Sequence, residues 1–91
     1  LIHGGPSGIG SFMVLTALSY GCIVYTTSIN IEKLKIFSSY SNCQCLTYND
    51  FSEEIIRRGG ADIVLDILGE KYFDSNIRVL NKYGKLILLA V

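Results

Sequence analysis

Neither sign of charge is in excess in this sequence: eight Lys and Arg stand against eight Asp and Glu. A basic footprint for nucleic acid is therefore missing, and no block of like charge reads as an interaction tail. No apolar run reaches the roughly 18 residues that a membrane-spanning helix needs. No basic segment precedes an apolar one at the N-terminus, so no signal peptide is read there. No nucleic-acid or membrane partner is expected, and a cytoplasmic location is. Repeats, linkers and low-complexity stretches are lacking too. Histidine occurs once, at His3, and the three cysteines are Cys22, Cys43 and Cys45. An odd count with a Cys-x-Cys pair has no zinc-ligand spacing. The cysteines read as small buried residues in a reducing compartment, and no metal site is expected. No nucleophile sits beside a base, so no catalytic residue is expected within the chain. There is no initiator Met, and Leu1 reads as the inside of a strand. Residues 1–91 are expected to be one domain excerpted from a longer protein, or a gene remnant, without its catalytic domain.

What is present is a folded composition, 49% apolar and 18% charged, in a pattern that alternates. "LIH" ends an apolar strand. "GIGSFMVLTALSY" is apolar nearly all round and reads as a buried helix, stopped at Gly21. "CIVYTT" is a buried strand. Asn30 caps a helix in which Ile31, Leu34 and Phe37 recur, and "QCLTY" is a short strand. Asp50 and Glu53 have capping-box spacing before a helix with Phe51 and Ile55 on its apolar face, ended by Gly59-Gly60. "DIVLDIL" is a strand. "KYFDSNIRVLNK" reads as an amphipathic helix with Phe73, Ile77 and Leu80 facing inward, Lys82 at its C-terminal dipole and Gly84 at its exit. "KLILLAV" is the last strand. Strands alternating with helices predict an α/β fold: a doubly wound, Rossmann-type parallel sheet of five strands with helices on both faces, lacking only the sixth strand of the order 3-2-1-4-5-6. Its fifth strand would be an exposed apolar edge, which makes self-association into a homo-oligomer an expectation.

The turn from the first strand into the first helix is "GGPSGIG", residues 4–10. It puts free helix N–H groups at the carboxyl edge of the sheet, where glycines let a pyrophosphate approach the backbone. Gly5 and Gly10 fit the outer positions of a G-x-G-x-x-G pattern, with Ser7 in the middle one. No Lys-Ser or Lys-Thr follows, so it is not a Walker loop. The second strand ends in Thr26, Thr27 and Ser28, where NAD-binding folds place an acid for the ribose 2′-OH. Neutral hydroxyls, with Asn30 and Lys33 nearby, suit a 2′-phosphate instead.

These residues resemble the nucleotide-binding domain of the medium-chain dehydrogenase/reductase superfamily, in its zinc-independent quinone oxidoreductase (zeta-crystallin-like) branch. "LIHGGPSGIG" is similar to that branch's "HGGASGVG" loop, "TSINIEK" to its "TAGS-x-EK" stretch, and residues 59–90 to its segment from strand four to strand five. The resemblance implies NADPH as cofactor. It places Ser7, Gly8 and Ile9 on the pyrophosphate, Lys33 and Tyr48 at the adenosine 2′-phosphate, and Gly69 and Ala90 near the nicotinamide. It implies a parent enzyme that passes reducing equivalents from NADPH to a quinone or α,β-unsaturated carbonyl. Asp66, within "LDILG", reads as structural or loop-organising, not catalytic. Ile29 departs from the family's usual glycine and sets a side chain where the phosphate would lie. Ser41 replaces a glycine that commonly ends the second helix, and the stretch from Tyr48 to Phe51 is about two residues short. The loop also resembles the "TGGxSGIG" of short-chain dehydrogenases, but no Tyr-x-x-x-Lys pair exists here. A module that binds nucleotide without activity, or binds nothing, is the alternative of a different class.

Overall fold

A computed structural model describes residues 1–89. Strand β1 covers Ile2–His3, β2 Val24–Thr27, β3 Cys43–Leu46, β4 Ala61–Asp66 and β5 Leu80–Leu88. They form one sheet in the order β3-β2-β1-β4-β5, with every pairing parallel. Chain direction across the sheet reverses after β3, so the gap between the carboxyl ends of β1 and β4 is the topological switch point. The α-helices are α1 (Gly8–Ser19), α2 (Phe51–Arg57) and α3 (Phe73–Val79). The expected doubly wound α/β architecture is what the chain adopts.

The core is split by the sheet. Ile2, Val14, Val24, Leu34 and Phe37 pack on one face. Leu46, Phe51, Ile55, Ala61, Val64 and Val79 pack on the other, beneath α2 and α3. Fully burying a side chain such as Phe51 or Ile55 stabilises the fold by about 1.5–3 kcal/mol.

Several elements differ from their sequence reading. Helix α1 is not buried all round: only Gly10 and Val14 are, while Phe12 is 67% exposed and Leu15 45%. One stripe suffices to cover β1 and β2, so the remaining apolar side chains face outward. The segment Ile31–Phe37 is a 3₁₀ helix, capped as expected by Asn30, whose side chain accepts from the Glu32 amide at 3.0 Å. Its buried residues, Leu34 and Phe37, are three apart, the repeat of a 3₁₀ rather than an α-helix. Asp50 makes no capping bond to α2, because its carboxylate accepts from the Thr47 hydroxyl at 2.7 Å. The cysteines are not buried: Cys22 is exposed, and Cys43 and Cys45 are half-buried and free. Burial pushes the Cys43 thiol up to about 12, which leaves it inert as a nucleophile at neutral pH.

The stretch read as one long amphipathic helix is a 3₁₀ turn, Glu70–Tyr72, followed by α3, which ends at Val79. Phe73 and Ile77 are 42% and 48% exposed, and the buried residues are Asn76 and Val79. Lys82 and Gly84 lie within β5, not at a helix end. Register jumps from Ala61↔Leu80 to Ile63↔Lys85, so residues 81–84 bulge from the ladder. Tyr83 takes φ 67° there. A bulky residue in the left-handed region is strained. Tyr83→Gly should therefore raise stability by about 0.5 kcal/mol, the relieved strain less the entropy of a new glycine; a urea midpoint at or below that of the wild type would contradict it. Among the described residues β5 pairs only with β4, and Ile87, Leu88 and Leu89 are exposed along this edge.

Candidate functional site

All five strands are parallel, so their carboxyl ends gather on one edge. The glycine loop leaves β1 there. Gly4, at φ 70°, turns the chain, and its amide and that of Gly5 donate to the Thr27 carbonyl at 2.9 and 3.2 Å. Ser7 caps α1: its Oγ accepts from the Gly10 amide at 3.0 Å. The next amides, those of Gly8 and Ile9, find no acceptor among the described residues, and both residues are exposed.

The glycines of the loop serve different ends. A Cβ on Gly10 would lie 2.1 Å from the Gly4 carbonyl oxygen, and one on Gly5 2.1 Å from Thr26 Oγ1. Both are required by packing within the protein. A Cβ on Gly8 would meet nothing within 4 Å. No neighbour in this structure explains that glycine, whereas a ligand laid across the Gly8 and Ile9 amides would. An anion fits this site, since unpaired N–H groups and the positive end of the α1 dipole converge on it.

Beneath the loop lies a buried polar chain that sequence reasoning missed. His3, Thr27, Asp66 and Asn76 are all 0% exposed. Asp66 accepts at both oxygens, from the Leu68 amide at 2.6 Å and from Asn76 Nδ2 at 2.7 Å. Asn76 therefore turns its Oδ1 to His3 Nε2, 2.7 Å away, and that nitrogen must carry the proton. His3 Nδ1 is left to accept from the Thr27 hydroxyl, also at 2.7 Å. Burial lowers the pKa of His3 from its ordinary 6.5, and the Asn76 bond and the nearby Asp66 charge oppose this less strongly. The ring is neutral at pH 7. Aromatic rings wall it in: Tyr48 and Tyr72 each lie 5.7 Å from it, nearly parallel, and Phe51 meets it edge-on at 4.9 Å. Tyr48 and Tyr72 stack on each other at 4.7 Å.

The predicted site residues are distributed as follows. Gly5, Ser7, Gly8, Ile9 and Gly10 come together in one loop. Thr27 is adjacent but turned inward, its hydroxyl committed to His3; the pairing was invisible in sequence because His3 and Thr27 meet only across the β1–β2 ladder. Tyr48 is half-buried against His3, and burial pushes its phenol up, with the Thr27 hydroxyl and Gly4 backbone acting the other way. Asn30 spends its side-chain oxygen on the helix cap. Lys33 is exposed, and no ion pair engages it among the described residues, whereas Lys35 pairs with Glu32 at 2.8 Å. Ile29 is 90% exposed. Gly69, at φ 85°, enters the 3₁₀ turn after β4. Ala90 lies outside the described residues. Asp66 organises the loop after β4, as read. Asn76 and Tyr72 carried no signal: one sits in a helix pattern, the other among many tyrosines. A hollow of about 600 Å³ lies at the opposite, amino edge, between Gly21–Tyr25 and Arg58–Ile63. Helix α1 ends there rather than begins, and none of the buried polar side chains lines it, so the chemistry belongs to the carboxyl edge.

A doubly wound parallel sheet with a glycine loop at its switch-point edge is the architecture of a dinucleotide-binding domain. The chain belongs to the zinc-binding dehydrogenase family, whose profile matches residues 8–91. It is similar to acryloyl-coenzyme A reductase of Sulfurisphaera tokodaii, 28% identical over 90 residues, which are 99% of this chain and 27% of that protein. It is also similar to probable polyketide synthase 6 of Dictyostelium discoideum, 29% identical over 103 residues, 96% of this chain and 4% of that protein. Probable polyketide synthase 14 of the same organism is 28% identical over 106 residues, covering all of this chain and 4% of its own length. The chain thus spans about a quarter of the first relative's length and far less of the other two. Membership implies a nicotinamide dinucleotide as cofactor. The family description includes zinc, but among the described residues no three His, Cys, Asp or Glu side chains gather to hold a metal ion.

Proposed function

We propose that this chain is the NADPH-binding part of a zinc-independent reductase that acts on a quinone or another α,β-unsaturated carbonyl. The observation that carries the reading is Gly8: open space over its Cα, beside two exposed and unpaired amides. When bound, the dinucleotide supplies a hydride from its dihydronicotinamide ring. The chain's own residues bind and orient it. Gly8 and Ile9 donate to the pyrophosphate, and Ser7 holds the first turn of α1 in shape for them. Lys33, exposed and uncommitted, meets the 2′-phosphate, and no acid stands at the end of β2 to favour a ribose 2′-OH. Gly69, in the turn after β4, lies near the nicotinamide by the family resemblance. Similarity to a protein named acryloyl-coenzyme A reductase supports the acceptor class. The second reading is a module that binds the dinucleotide without turnover. It is favoured by the burial of the Thr27–His3 hydroxyl–imidazole pair, both 0% exposed and so closed to a substrate.

Calorimetric titration of the folded chain with NADPH and with NADH tests the proposal. NADPH should bind more tightly, and Lys33→Ala should weaken it by about tenfold while leaving NADH unchanged, as expected for one charge-assisted contact to phosphate. Heat from neither dinucleotide, on a chain with a folded circular-dichroism spectrum, would sink the reading.

A further inference from the structure

The buried polar chain is poorly explained by stability. Replacing such a group of side chains with apolar ones of similar volume is often neutral or stabilising. Asn76 occupies the inward face of α3, beside Val79, in a place that apolar residues usually fill. Both ends of the chain are instead anchored in loops at the carboxyl edge. At one end Thr27, whose hydroxyl meets His3, accepts the Gly4 and Gly5 amides at its carbonyl. At the other, Asp66 holds the Leu68 amide. Between them the bonds His3–Asn76 and Asn76–Asp66, each 2.7 Å, cross the switch point from β1 to β4 through α3. Tyr48, Phe51 and Tyr72 flank the imidazole, which is 0% exposed.

We infer that Thr27–His3–Asn76–Asp66 is a positioning device that couples the glycine loop to the 67–69 loop, so that the two present one edge to a single ligand. That the ligand is a dinucleotide rests on the function proposed above; the coupling itself does not. Direction matters in this chain. Asp66 can only accept, Asn76 passes a donor on one side and an acceptor on the other, and His3 must hold its proton on Nε2. The neutral ring leaves Thr27 oriented as donor. Protonating His3 would make Nδ1 a donor and force the Thr27 hydroxyl to reverse. The charged and titratable groups facing the ring are Asp66 from β4, Tyr48 beyond β3, Tyr72 from the 3₁₀ turn before α3, and the amino group of Leu1. One event at His3 is therefore felt at both loops.

The test uses the 91-residue chain and nuclear magnetic resonance without ligand. The His3 spectrum should show the neutral ring with its proton on Nε2. On acidification, the amides of Gly8, Ile9 and Gly10 and those of Leu68 and Gly69 should shift together, with the midpoint of the His3 ring itself. Asn76→Asp, which keeps the shape but sets a second carboxylate against Asp66, should move the same two sets of resonances and weaken NADPH binding by roughly tenfold. His3→Gln keeps one donor and one acceptor and cannot be charged. It should abolish the joint titration. A proton on Nδ1, or a glycine loop that stays still while Leu68 and Gly69 titrate, overturns the coupling; the wild-type titration decides this even where a variant does not fold. Joint movement of both loops in a chain that binds no dinucleotide would leave the coupling standing and remove the cofactor reading instead.

Discussion

Gly10→Ala should destabilise the domain by about 3 kcal/mol or more, at the upper end of what overpacking costs, while Gly8→Ala should change stability by less than about 0.5 kcal/mol, as a surface substitution does. The two positions belong to the same turn and would receive the same methyl group. They differ in what that methyl meets. At Gly10 it falls 2.1 Å from the Gly4 carbonyl oxygen, 2.8 Å from the carbonyl carbon and 2.8 Å from Ser7 Oγ. The first two are backbone, and Gly4 is held by its bond to Thr27 at 2.9 Å, so the loop has no side chain to swing aside. Relief requires lifting α1 from β1, with loss of the packing of Val14, which is fully buried. Since small domains have only about 5–15 kcal/mol in total, a loss of this size leaves much of the chain unfolded at moderate urea. Gly8→Ala inverts the readout: its methyl enters open space, so the fold survives and the dinucleotide is obstructed. Urea denaturation with calorimetric titration of both variants checks the pair. A Gly10→Ala chain as stable as the wild type would mean that the loop is not packed as described. A Gly8→Ala chain that binds NADPH normally would mean that the ligand does not cross that residue.

Asn76→Leu should cost about 3 kcal/mol, because removing one member of a buried polar group strands the others. Asp66 would lose a donor and the His3 Nε2–H its acceptor, both at 0% exposure. Stability of the wild type should also depend on pH in one direction. His3 has a folded-state pKa below the ordinary 6.5. Between those two values the unfolded chain binds a proton that the folded chain does not, so stability rises with pH. The contribution is complete above about 6.5, and falls as pH drops below that value until the folded-state pKa is reached, with a limiting slope near 1.4 kcal/mol per pH unit. His3 is the only histidine, so subtracting the profile of His3→Gln isolates its share and cancels the other groups. Urea melts from pH 8 to pH 4.5 supply both curves. A difference flat with pH would show that His3 titrates alike in both states and is not sealed as the structure has it.

Much of this molecule could be read along the chain, for a local reason. Strands at β2 and β4 declare themselves through short β-branched and apolar runs, around Val24 and across Ile63–Leu65. The glycine loop declares itself because a tight strand-to-helix turn tolerates no Cβ at Gly5, against Thr26, or at Gly10, against the Gly4 carbonyl. Asn30 announces a helix start because its side chain serves the backbone two residues away. Periodicity failed where the inward face was polar. In α3 the apolar spacing Phe73–Ile77–Leu80 pointed the helix the wrong way, since Asn76, not Phe73, makes the bonds that orient it. In α1 hydrophobicity overstated burial, because how many faces of a helix are covered depends on its neighbours.

By itself, then, the sequence determined the order of strands and helices and the phosphate-type loop, which depend on residues close together in the chain, and its motifs resembled the right superfamily. Only the tertiary structure decided that Thr27 turns inward, that Tyr48 stacks on Tyr72, and that the lone histidine is the hub of a buried chain reaching to Asn76, 73 positions away. Hydrogen bonds of that span leave no periodic trace. They arise only when the sheet brings the ends of β1, β2 and β4 onto one edge and α3 closes over it.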